Sequence, residues 1–112
     1  MEWVTAADGL AFVRIASPSA AEQAWADALA PAISAAIDRY LGAYLGIPAE
    51  GVAEIEALAL RAFGYGWQYR QAPFGESSYL DQAGQSVRLA GDWIVPIKPA
   101  LARWRDMGQL IG

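Results

Sequence analysis

Residues 19–42 read SAAEQAWADALAPAISAAIDRYLG, and their spacing decides the fold class. Trp25, Leu29, Ile33, Ile37 and Leu41, with Leu45 beyond them, recur at every fourth position. That is one apolar residue per helical turn, in a stripe that drifts slowly round the helix. Asp27, Asp38 and Arg39 fall off the stripe, while Ala28, Ala32 and Ala36 widen it with side chains small enough for close approach. Ser19-Ala20-Ala21-Glu22 is a capping box that opens the helix. Gly42 or Gly46 stops it, and Ile47-Pro48 reinforces the stop. Pro31 removes a backbone donor inside the helix and predicts a kink.

Working outward, Thr5 caps a short helix over about 6–14, with an acid, Asp8, three residues on. Leu10 and Val13 are its inward positions, Trp3 or Val4 can fold back as a staple, and Gly9 should weaken it. Ser17-Pro18 closes it. A third helix is predicted over about 50–71, with Ile55, Leu58, Ala59, Ala62 and Phe63 inward. Its last turns, Phe63-Gly64-Tyr65-Gly66-Trp67-Gln68-Tyr69-Arg70, hold two glycines that each cost a helix about 1 kcal/mol. Either a neighbouring backbone approaches closely there, or the helix end is broken.

Residues 76–95 read differently. Tyr79 to Leu89 suggests a loop or short β-hairpin turning at Gly84, and Gly91-Asp92 punctuates the chain. Trp93-Ile94-Val95 follows as a short extended piece before Pro96. A last helix is expected over about 98–107, with Pro99 in its first turn and Gly108 as its stop. The fold expected is mainly α: one domain over 1–112, a small bundle of about four helices. Its parts are a helical body at about 5–72, a loop or hairpin at about 75–95 and a C-terminal helical arm at about 96–112.

Composition narrows the function. Hydrophobic residues make up 55% of the 112 and charged residues 18%, which excludes a disordered chain. It also leaves more apolar surface than one small core hides, so a protein partner or self-association is expected. No apolar run reaches the roughly 18 residues that span a bilayer, so no membrane partner is expected. Met1-Glu2-Trp3-Val4 has no basic stretch of the kind that opens a secretory signal. Cys and His are both absent, which removes thiolate nucleophiles, zinc–thiolate sites and the usual base near neutral pH. Glu50, Glu54 and Glu56 form the main acidic cluster and read as a solvated face. No catalytic residue, metal site or cofactor is expected.

Charge is uneven. Residues 1–84 carry four arginines against ten acids, whereas residues 85–112 carry Arg88, Lys98, Arg103 and Arg105 against Asp92 and Asp106. The acidic body argues against a general nucleic-acid binder. The basic tail suggests a partner for it, docking onto a neighbouring copy, or a solvated helix end. Leu101 and Trp104 share a face of that last helix, with Leu110 and Ile111 beyond them and Lys98, Arg103 and Arg105 around them. This reads as a docking element stiffened by Pro96 and Pro99. Tyr65, Trp67, Tyr69 and Arg70 read as a second contact surface, between subunits. Seven arginines to one lysine and five tryptophans suit interfaces, although a GC-rich coding sequence also raises arginine.

Certain stretches carry a resemblance. Val4-Thr5-Ala6-Ala7 opens a short helix ending at Arg14-Ile15, and the long second helix ends Ile37-Asp38-Arg39-Tyr40-Leu41-Gly42. Then come Ile55-Glu56-Ala57-Leu58-Ala59-Leu60-Arg61-Ala62-Phe63 and Tyr69-Arg70, a polar loop, and a terminal Leu101-Ala102-Arg103-Trp104-Arg105. From about residue 3 to 106 this layout resembles the small head–tail connector, or adaptor, proteins of long-tailed bacteriophages and gene transfer agents. Gly64-Tyr65-Gly66 departs from it, standing where bulky helix formers are usual. The resemblance implies a structural, non-enzymatic protein of the virion. Its copies form a ring, commonly dodecameric, beneath the portal protein and extend a channel through which DNA passes without specific binding. A tail-side connector or stopper protein then docks on that ring. The basic C-terminal element would be the portal contact. A small α-helical interaction or regulatory module unrelated to virions is the alternative reading.

Overall fold

The computed structural model describes residues 2–42, 47–69 and 93–111, with side chains at all of these but Tyr69 and 106–111. Four helices, α1 (Ala6–Phe12), α2 (Ala20–Leu41), α3 (Ala49–Tyr69) and α4 (Lys98–Ile111), take up 7, 22, 21 and 14 residues, more than half of the chain. No strand occurs among the described residues. The fold is a small, mainly α bundle.

The caps explain where the helices start and end. Thr5 accepts from the Asp8 amide at 3.0 Å, and Ser19 and Glu22 form the reciprocal capping box at 3.1 and 2.9 Å. These side chains satisfy amides that have no partner within a first helical turn. α1 ends as Arg14 enters the left-handed region at φ 65°, which brings the Ile15 amide to the Leu10 carbonyl at 2.9 Å. α2 ends at Gly42, whose φ of 75° suits a residue without a Cβ. Pro31 does not end α2. It lies on the exposed side near exposed Asp27, so the carbonyl that loses its amide partner there can turn to water.

Helix α2 is the hub. Trp25, Leu29, Ile33, Ile37 and Leu41 are all at most 1% exposed, and the stripe turns by about 40° at each four-residue step. Successive residues therefore face different neighbours, and α2 packs on α1, α3 and α4. Leu29, early in α2, lies where a Cβ on Gly66, late in α3, would be only 2.6 Å from it. Tyr40, late in α2, and Gly51 and Glu54, early in α3, all meet α4. The two long helices therefore run antiparallel. On the far side of α2, Ser34 is buried and accepts from the Trp3 and Val4 amides at 3.0 and 3.3 Å. The Trp3 indole donates to Asp38 at 2.7 Å. Trp3 and Val4, both buried, thus fix the N-terminus to α2.

The third helix has the inward face expected of it: Ile55, Leu58, Ala59, Ala62 and Phe63 are all buried. It runs unbroken through Gly64 and Gly66. The close approach that Gly66 allows comes from side chains, Leu29 and Trp93, and not from a neighbouring backbone. Gly9 also corrects an expectation. A Cβ there would sit 2.5 Å from the Phe63 ring, so this glycine joins α1 to α3 and does not merely weaken α1.

Two corrections concern the C-terminal part. Trp93-Ile94-Val95 is not extended: Trp93 is helical, Ile94 has φ −86° and ψ −8°, and Val95–Ile97 form a 3₁₀ turn. Burying Trp93, Ile94 and Ile97 together needs one-turn spacing and not alternation. Gly108 does not stop the last helix, which runs to Ile111. A glycine inside a helix costs about 1 kcal/mol and, unlike proline, blocks nothing. Of the loop or hairpin expected over about 75–95, residues 75–92, with Gly84, lie outside the described residues, as do Leu45 and Gly46.

Leu29→Ala or Ile37→Ala should lower the unfolding free energy by roughly 2–5 kcal/mol, as core truncations do. Gly9→Ala should also destabilise. Overpacking costs about 1–3 kcal/mol against a helix-propensity gain of about 1, and Phe63 is held by its stack on Trp67 at 5.9 Å. Urea denaturation measures all three, and a stabilised Gly9→Ala chain would show that Phe63 moves aside.

Candidate functional site

The C-terminal element expected to project as a docking arm is packed into the body instead. Leu101 is fully buried, Trp104 is 1% exposed, and Ile97 one turn earlier is equally buried. Trp104 packs against α3. A Cβ on Gly51 would come within 2.8 Å of its ring, so the glycine leaves the space that the indole occupies. The indole N–H donates to a Glu54 carboxylate oxygen at 3.1 Å, and the Arg103 guanidinium lies 4.4 Å from the ring centroid. An amphipathic helix hides its apolar face when the same chain offers a matching surface, and Gly51 with α2 supplies one. Leu101 and Trp104 are therefore core residues. Leu110 and Ile111 continue the helix, with side chains outside the described set.

The expected subunit surface divides in the same way. Trp67 is 5% exposed and stacks on Phe63, so it belongs to the core. Tyr65 is half-buried, beside exposed Arg61. Tyr69 is the last residue of α3, its side chain outside the described set, and Arg70 lies beyond the described residues. Glu50 and Glu56 are exposed, whereas Glu54 is the Trp104 acceptor. Among the described residues no group of three or more carboxylates is placed to hold a metal ion. None of the described helices is long and apolar enough to cross a membrane.

Among the described side chains of α4, Arg103 is exposed and Lys98 and Arg105 are half-buried, so charge is what they turn outward. The Lys98 ammonium lies 5.4 Å and the Arg105 guanidinium 5.1 Å from the centroid of the Tyr40 ring. The Tyr40 hydroxyl donates to the Lys98 carbonyl at 3.4 Å. Lys98 and Arg105 are seven residues apart and share a flank of α4, whereas Arg103 lies on the other flank, over Trp104. Contact with a ring face stabilises a cation and holds it in place. Helices α1 and α3 leave a groove of about 370 Å³ lined by Val4, Asp8, Ala11, Phe12, Glu56 and Leu60, among others. Phe12 there is 48% exposed. Nothing in the sequence gave Tyr40 a contact with the last helix or marked this groove. Tyr40 and Lys98 are 58 positions apart, and no spacing rule pairs them.

Burial of Trp104 sets a sharp expectation. Trp104→Ala should cost roughly 3–5 kcal/mol and lose the cooperative melt near ambient temperature. Glu54→Ala should cost about 1–2 kcal/mol, and Glu54→Gln less, because its amide oxygen still accepts. Thermal denaturation followed by circular dichroism checks this; a Trp104→Ala chain that melts like the parent would restore the projecting arm.

No family model, curated protein or solved structure matches this chain.

Proposed function

We propose that this chain is a structural head–tail connector of the bacteriophage or gene-transfer-agent type. Its copies form a ring beneath a portal protein, extend the DNA channel and receive a tail-side connector or stopper protein. The observation that carries this reading is the layout: a short capped α1, a long α2, an antiparallel α3 and a terminal basic helix, in the order the resemblance calls for. The charge pattern adds support. A chain with twelve acids against eight basic residues repels phosphates, which suits a channel wall along which DNA slides.

The portal contact takes a different form from an exposed tryptophan. Arg103 is exposed and braced on the Trp104 ring, so an aromatic core residue presents a fixed cation to portal carboxylates. Bracing lowers the ordering cost of such a pair. The ring has the portal's symmetry, twelve-fold in the commonest case, and the work is structural, with no catalytic step.

Co-purification with the portal protein encoded in the same genomic neighbourhood, followed by electron microscopy, tests this. We expect a ring of matching symmetry under the portal, weakened by Arg103→Glu without loss of folding. One copy per portal assembly overturns it, as does a neighbourhood with no portal or capsid gene. A stable monomer or dimer without portal affinity points instead to an unrelated helical interaction module.

A further inference from the structure

The surface carries two charged features on different elements, a groove between α1 and α3 and a pair of cations on α4. Glu54 meets α4 through Trp104, whereas Glu56 lines the groove against α1. Lys98 and Arg105, on the α4 flank away from Trp104, lie instead on the Tyr40 ring of α2, so the groove and these cations are built on different elements.

The features are complementary in sign and in form. The groove has an apolar floor of Val4, Ala11 and Leu60 and carries two exposed carboxylates, Asp8 and Glu56, one on each wall. Arg14 and Arg61 lie in adjoining depressions, one by Ala11 and one beyond Phe12. The groove lining itself therefore holds acids alone. Helix α4 offers Lys98 and Arg105, two cations held by Tyr40, near Val95, which is 51% exposed. Neither these cations nor the two acids has an ion-pair partner among the described residues.

We infer that the groove between α1 and α3 receives the Lys98–Arg105 flank of a second copy of this chain. Glu56 and Asp8 pair with the two cations, and Val95 and Phe12 supply apolar contact beside them. Such a contact joins two different surfaces, so it is heterologous and repeats head to tail. A two-fold dimer through either surface would instead set like charges against each other. The inference rests on the connector reading for the closure of the repeat into a ring; the contact itself needs no portal.

The absence of cysteine from the chain makes a direct test available. Glu56→Cys and Arg105→Cys chains, mixed under mild oxidation, should give a crosslinked heterodimer well in excess of either homodimer. Charge reversal supplies the second arm. Asp8→Lys with Glu56→Lys, or Lys98→Glu with Arg105→Glu, should each weaken self-association about tenfold or more in sedimentation, with unchanged melting. Mixing the two reversed chains should restore it, because each then finds an opposite partner, and added salt should weaken the wild-type contact. A wild-type chain that stays monomeric at millimolar concentration overturns the contact. So do homodimer-dominated crosslinking and reversed chains that assemble as before. If the crosslink forms but no ring appears with portal, the connector reading fails and the contact stands. If a portal ring forms from reversed chains, the contact fails and the connector reading stands.

Discussion

Helix α2 can bury a side chain at every fourth position only if its neighbours meet it along a band that turns with those positions. Between Trp25 and Leu41 the buried direction rotates by about 160°. One partner helix cannot follow that rotation, so α2 needs several. α1 and the N-terminal Trp3 and Val4 take one side, α3 runs antiparallel along the next, and α4 closes over the end at Tyr40. The position of α4 follows from this: its cations sit where the last turn of α2 leaves a tyrosine for them.

Large side chains in this bundle are accommodated by glycine. Phe63 lies on Gly9, Trp104 on Gly51, and Leu29 with Trp93 on Gly66, each closer than a Cβ would allow. Interiors pack at the density of organic crystals, and a bundle with five tryptophans needs compensating gaps to reach it. Aromatic packing is not perfectly satisfied, though. The Trp25 indole N–H is buried without a hydrogen-bond partner among the described residues, its ring edge-on to Trp93 at 6.2 Å. An unpaired buried donor costs about 1–3 kcal/mol, which the burial of so large a side chain outweighs.

Legibility in the sequence followed the range of the interaction. Ser19 and Glu22, Thr5 and Asp8, and the α2 stripe act over three or four residues, and spacing alone identified them. Gly9 and Gly66 were legible as glycines but not as contacts, because their partners Phe63 and Leu29 lie on other helices. Trp104 shows the limit most clearly. Its one-sided placement with Leu101 on a basic helix describes a docking face and a core face equally well. What distinguishes them is Gly51, 53 positions away, and no local rule links the two. Gly108 was misjudged for a different reason: glycine carries a modest penalty inside a helix, and a helix can absorb it.

The burial of Trp104 changes what kind of surface this protein offers. Among the described residues, much of the apolar area that composition alone would assign to partners lies inside the bundle, in the five tryptophans and the α2 stripe. Exposed apolar anchors are few, with Phe12 and Val95 the large ones described. Around them lie charges held in place by aromatic rings: Arg103 on Trp104, and Lys98 and Arg105 on Tyr40. Charged contacts of this sort favour orientation and specificity over raw affinity. The core tryptophans thus also act at the surface, since Trp104 fixes both the last helix and the cation beside it. Any substitution that loosens that ring should disturb the fold and the outward charge together.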